Sequence, residues 1–128
     1  TFSGKPWYNS LGDCIHFHWR DEEFYRDWLD DKLTVYRSIH DDQAVGCQIK
    51  GVHALLRKLG EVGIAVNQPN GVPLAIFLFA SHVAAKPDET KIVEREQLYR
   101  YIVGKAGPEK ISVPALAESE GCVAAAPE

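Results

Sequence analysis

Apolar and polar residues alternate from Asp13 to Trp19, with Ile15, Phe17 and Trp19 on one side and Cys14, His16 and His18 on the other. A period of two is the signature of a strand with one face on a core. The same alternation returns in Leu33–His40, where Leu33, Val35, Arg37 and Ile39 share one face. After the turn-forming Asp41-Asp42-Gln43, Ala44–Ile49 completes a hairpin. Gly46 inside that strand marks a bulge or a close packing approach.

Elsewhere the period changes. In Arg20–Asp31, Phe24, Tyr25, Trp28 and Leu29 fall on one side of a short helix, with Asp21 as N-cap and Glu22 and Glu23 in its first turn. Asp30 and Asp31 then sit at the negative end of that helix, where the peptide dipoles disfavour them. Val52, Leu55, Leu56 and Leu59 are spaced as a helical stripe, and Gly60 suits its C-terminal cap. Val62–Val66 reads as a short strand, and Asn67–Gly71 as a loop with an Asn-Gly turn. The mostly apolar Val72–Phe79 reads as a strand buried on both faces, starting at Pro73. Lys91–Val103 reads as a helix ending at Gly104, with Ile92, Tyr99, Ile102 and Val103 on its apolar side, and Ile111 and Val113 add an edge strand.

This order predicts an α+β fold: an antiparallel sheet of about five strands with two or three helices packed on one side. The chain has 128 residues, enough for one domain. That domain is expected over residues 1–107. Residues 108–128 turn rich in Ala, Glu and Pro and are expected to form a largely mobile extension. With 45% hydrophobic residues, a sizeable core needs no metal or disulfide staple.

The segment Tyr8-Asn9-Ser10-Leu11-Gly12-Asp13-Cys14-Ile15-His16-Phe17, followed downstream by Val45-Gly46-Cys47-Gln48-Ile49, resembles a small bacterial family of unknown function. That family's pattern runs Tyr-Asp-x3-Asp-x-Leu-Tyr and closes with Val-Gly-x2-Ile. The resemblance spans Tyr8 to Val52, with Asn9 in place of the family's Asp. It implies a β-rich first half and brings no catalytic residues to carry over.

A net charge of −4 and a pI near 5.7 leave no basic footprint for nucleic acid. No run of apolar residues approaches the length of a membrane span. Cys14, Cys47 and Cys122 match no zinc-finger or CxxC spacing and read as thiols of a reducing compartment, so a cytoplasmic location is expected.

His16 and His18 are the sharpest candidates for chemistry. Side chains two apart on a strand point the same way, so the two imidazoles could meet one metal, with Cys14, Glu22 or Glu23 as a third ligand. The simpler reading puts both rings on the solvent side of a strand whose other face is core. His40-Asp41-Asp42 reads as a hairpin tip, His53 as helix surface, Glu94 and Glu96 as a solvated helix face. His82 would line a pocket mouth, and no glycine-rich phosphate loop or nucleophile elbow occurs.

Aromatic crowding is the more telling feature. Trp7, Tyr8, Trp19, Phe24, Tyr25 and Trp28 all fall in the first 28 residues, with Tyr36 close behind. The expected reading is therefore a non-enzymatic binding or interaction domain using an aromatic-rich face. Trp19, Phe24, Tyr25, Trp28, Tyr36 and His82 are its ligand or interface candidates. A homodimer or a small apolar ligand is the expected partner, without cofactor, nucleic acid or membrane. A small metal-dependent enzyme centred on His16 and His18, or a small-molecule-binding α+β domain, is the alternative.

Overall fold

The alternating segment around His16 becomes a strand in the computed structural model, which describes residues 4–63 and 71–113. This strand, β2 (Cys14–His18), lies antiparallel between β1 (Trp7–Asn9) and β5 (Ala44–Lys50). β4 (Leu33–Ser38) pairs with the far side of β5, and β3 (Phe24–Trp28) closes the sheet in the order β1-β2-β5-β4-β3. The β4–β5 hairpin turns through Asp42 at φ 61°, a left-handed conformation that a short polar side chain tolerates.

Three helices lie on one side of this antiparallel sheet. They are α1 (Val52–Glu61), α2 (Leu74–Ala84) and α3 (Ile92–Ala106). A two-stranded ribbon, β6 (Val72–Pro73) with β7 (Lys110–Ile111), ties the start of α2 to the end of α3. The α+β architecture matches the sequence expectation. The core forms where Ile15, Phe17, Leu33, Val35, Cys47 and Ile49 of the sheet meet the helices. It takes in Ile111, past the boundary expected near residue 107. No helix among the described residues is long and apolar enough to cross a membrane.

Two elements differ in type from the expectation. The segment expected as a helix over Arg20–Asp31 is a bend followed by β3. Phe24 and Trp28, four apart, share a face in a helix and in a strand alike, so their spacing did not discriminate. The exposed hydrogen-bonding edge of β4, together with the β preference of aromatic residues, decides for the strand. Conversely, the segment expected as a buried strand over Val72–Phe79 enters α2 straight after Pro73. Pro73, at φ −55° and lacking an N–H, is well placed before the first helical turn. Leu74, Phe77, Leu78 and Ser81 are the buried stripe, at helical spacing.

Boundaries moved too. Gly60 lies inside α1 rather than beyond it, and α3 continues through Gly104 to end at Gly107, φ 50°. The buried side of α3 is Arg95, Tyr99, Ile102 and Ala106, which leaves Ile92 and Val103 largely exposed. Val62 caps α1 and Gly63 lies in the turn that follows, so the strand expected over Val62–Val66 does not begin there; its residues 64–66, most of the Asn67–Gly71 loop and residues 114–128 fall outside the described residues.

Candidate functional site

Residues opposite one another in an antiparallel sheet share a face. The register places Trp7 opposite His16, His16 opposite Gln48, Gln48 opposite Thr34, and Thr34 opposite Trp28. One cross-strand row thus runs over all five strands with a tryptophan at each end. The neighbouring row is His18, Gly46, Tyr36 and Arg26. Both rows lie on the face away from the helices.

Rings pack tightly there. Tyr36 is buried at the centre, stacked on His18 (centroids 4.9 Å, 13°) and tilted against Phe24 (4.4 Å). Trp7 stacks on His16 at 4.7 Å. The guanidinium of Arg26 lies over Tyr36 and Phe24, 5.7 and 6.0 Å from their centroids, in cation–π range. Burial and the Arg26 cation act in opposite directions on the Tyr36 phenol, and burial wins, pushing its pKa up to about 12.

A directed chain of hydrogen bonds threads the patch. The Tyr36 hydroxyl donates to Gln48 Oε1 (3.3 Å), so it must accept from His16 Nδ1 (3.2 Å). A neutral His16 then uses Nε2 to accept from the Cys14 thiol (3.3 Å). Burial lowers the pKa of both imidazoles; His18 and Arg26 add to the effect at His16, while Asp21 opposes it at His18. Both rings are neutral at pH 7.

Nucleophile, base and orienting hydroxyl can be named in Cys14, His16 and Tyr36, but the thiol belongs to a residue only 3% exposed and offers a substrate no approach. Nor do the described residues bring together three His, Cys, Asp or Glu side chains able to hold a metal ion. The two nitrogens of His16 already face Cys14 and Tyr36. The imidazoles are on the side away from the core, as the alternation requires, yet they are half-buried in an aromatic cluster rather than idle in solvent.

The six aromatic and histidine candidates separate. Phe24, Trp28 and Tyr36 share this face. Trp19 packs against the core on the other side, its indole N–H donating to the Ala44 carbonyl (3.0 Å). Tyr25 also points away, its hydroxyl donating to Asp42 (2.9 Å). His82 sits apart, in a cleft between α2 and α3, 2.6 Å from Glu96. Trp7, expected only as part of the aromatic crowding, completes the patch together with Arg26 and Gln48, which carried no signal in the sequence.

The remaining polar candidates hold the scaffold. Asp13 receives the Tyr8 hydroxyl (2.7 Å) and the backbone N–H of His53 (3.2 Å), with His53 Nδ1 at 2.7 Å, and so clasps the β1–β2 turn to α1. At the β4–β5 turn, Asp41 pairs with Arg20, which also binds Glu22. Comparison with protein-family models, curated proteins and solved structures gives no match to this chain.

Proposed function

We propose that this chain is a non-enzymatic interaction domain that docks a second copy of itself through the helix-free face of the sheet. The observation that carries this reading is the row ending in Trp7 and Trp28, which are 52% and 60% exposed at opposite edges of an aromatic patch. Exposed indoles beside stacked rings and an arginine are the composition of a contact surface.

The row is self-complementary. A two-fold axis parallel to the strands, running over β5 between the two facing sheets, sets Trp7 of each copy against Trp28 and Arg26 of the other. It places β2, with its two imidazoles, over β4. The two Arg26 side chains then lie at opposite edges, far apart. Lys50 falls at the end of the face, where a long side chain can turn outward to water. Five strands spaced about 4.8 Å apart and about 17 Å long give a footprint near 400 Å² per copy. Twice that area is below a standard stable interface and suits a weak, concentration-dependent pair.

Sedimentation velocity from micromolar to millimolar protein tests the reading. Mass should rise toward that of a dimer with concentration, and Trp7→Ser combined with Trp28→Ser should abolish the rise. A monomer throughout, or a double variant that associates like the parent, overturns it.

A further inference from the structure

Helix α2 is an unusual surface element. Apart from Ser81 and His82, every residue of Leu74–Ala84 is apolar. Its inner stripe is in the core, yet Phe79 remains 58% exposed on the outside. A helix apolar all round is normally covered on all sides. Here its outer flank forms one wall of a cleft of about 330 Å³, whose other wall is α3. That volume is at the lower end of small-molecule sites.

Chemistry is graded along the cleft. Ala75, Leu78, Phe79 and Val103 make the apolar part, while the paired His82 and Glu96 close one end. Glu96 is committed, since His82 Nε2 is 2.6 Å away and Arg95 Nη1 3.5 Å away. Arg100, on the lining between these regions, makes no hydrogen bond or ion pair with any described residue; its electrostatic neighbour is Glu96. The cleft therefore offers apolar walls and one guanidinium with all its donors unengaged.

We propose that the α2–α3 cleft binds a small apolar monocarboxylate, its carboxylate held by Arg100 and its hydrocarbon body lying along Ala75, Phe79 and Val103. A carboxylate suits this place because arginine meets it with two parallel, charge-assisted hydrogen bonds. A cationic ligand has no such opening, because Glu96 is already paired. This site is on the opposite side of the molecule from the aromatic patch and does not depend on the proposed self-association.

The test uses octanoate and its neutral analogue octanamide, titrated into micromolar protein and followed by amide chemical shifts and calorimetry. Octanoate should bind about tenfold more tightly than octanamide, a modest share of a charge-assisted pair. It should shift the amides of Ala75, Phe79 and Val103. Arg100→Gln, an exposed position, should reduce octanoate to the level of octanamide and leave octanamide unchanged. The proposal is overturned by equal affinity for the two compounds, by no binding at millimolar ligand, by an Arg100→Gln variant that binds octanoate like the parent, or by shifts confined to the sheet face.

Discussion

His18 and Tyr36 lie face to face across the sheet, their rings 13° from parallel with centroids 4.9 Å apart. The stack forms because His18 and Tyr36 both pair with Gly46, from β2 and β4 respectively, and Gly46 has no side chain to hold the rings apart. His16 joins the same patch, and Arg26 is close to both His16 and Tyr36.

A neutral imidazole is what this surrounding favours, and stability must follow. Burial, aided at His16 by His18 and Arg26, holds both folded-state pKa values below the unfolded value near 6.5. Below that value the unfolded chain binds more protons than the folded one. The stabilising contribution is therefore complete above about pH 6.5 and is lost as the pH falls from there through the folded-state values. Urea midpoints measured from pH 8 to pH 5 should decline at the acid end. The decline should flatten when His16 and His18 are both replaced by Gln.

Asp30 and Arg95 give the largest single-residue effect. The Asp30 carboxylate is fully buried and accepts from the backbone N–H groups of Lys32 (2.8 Å) and Leu33 (2.7 Å), from Arg95 Nε (2.9 Å) and from the Tyr99 hydroxyl (2.9 Å). Since Tyr99 donates to Asp30, Ser81 must donate to Tyr99 (2.7 Å). Asp30→Ala leaves a buried guanidinium without its carboxylate and should cost about 3–5 kcal/mol. Tyr99→Phe removes two bonds from the network, the one to Asp30 and the one from Ser81, and should cost about 2 kcal/mol. Denaturant unfolding monitored by circular dichroism separates the two.

The parts of this molecule legible in sequence were those whose information is local. Ile15 and Phe17 against His16 and His18 fixed the faces of β2 because a strand repeats every two residues. Phe24 and Trp28 misled because a four-residue interval satisfies a strand and a helix equally. Leu74–Ala84 misled because a uniformly apolar run carries no period. The aromatic patch was half legible. Phe24, Trp28 and Tyr36 were named, but that His16 touches Tyr36 depends on the neighbour order β2-β5-β4, which no local pattern encodes. Asp30 and Arg95, 65 positions apart, are the extreme case.

Gly46 should tolerate no side chain. A Cβ there would stand 2.7 Å from the Phe17 carbonyl oxygen and 2.8 Å from His18 Nδ1. The first neighbour is backbone in the centre of the sheet, and the second is a ring already stacked on Tyr36, so neither yields cheaply. Gly46→Ala should destabilise by about 1–3 kcal/mol, as overpacking does. Because the clash drives His18 off Tyr36, the variant should also flatten the acid-side decline in stability, readable in the same urea series.

Thr34 carries the opposite expectation. It is fully buried in the row between Gln48 and Trp28, and its hydroxyl oxygen has no hydrogen-bond partner among the described residues. Removing a hydroxyl that satisfies nothing recovers a desolvation cost of about 1–3 kcal/mol. Valine has nearly the same shape and the same β branch, so the strand loses no packing. Thr34→Val should therefore raise the urea midpoint, by about 1 kcal/mol in stability, where Thr-to-Val changes at hydrogen-bonded sites lower it. If self-association buries this row more deeply, the gain should be as large or larger at millimolar protein than at micromolar protein. A lower midpoint at both concentrations would mean that the hydroxyl is satisfied in solution, and that the helix-free face is wetter than its ring packing implies.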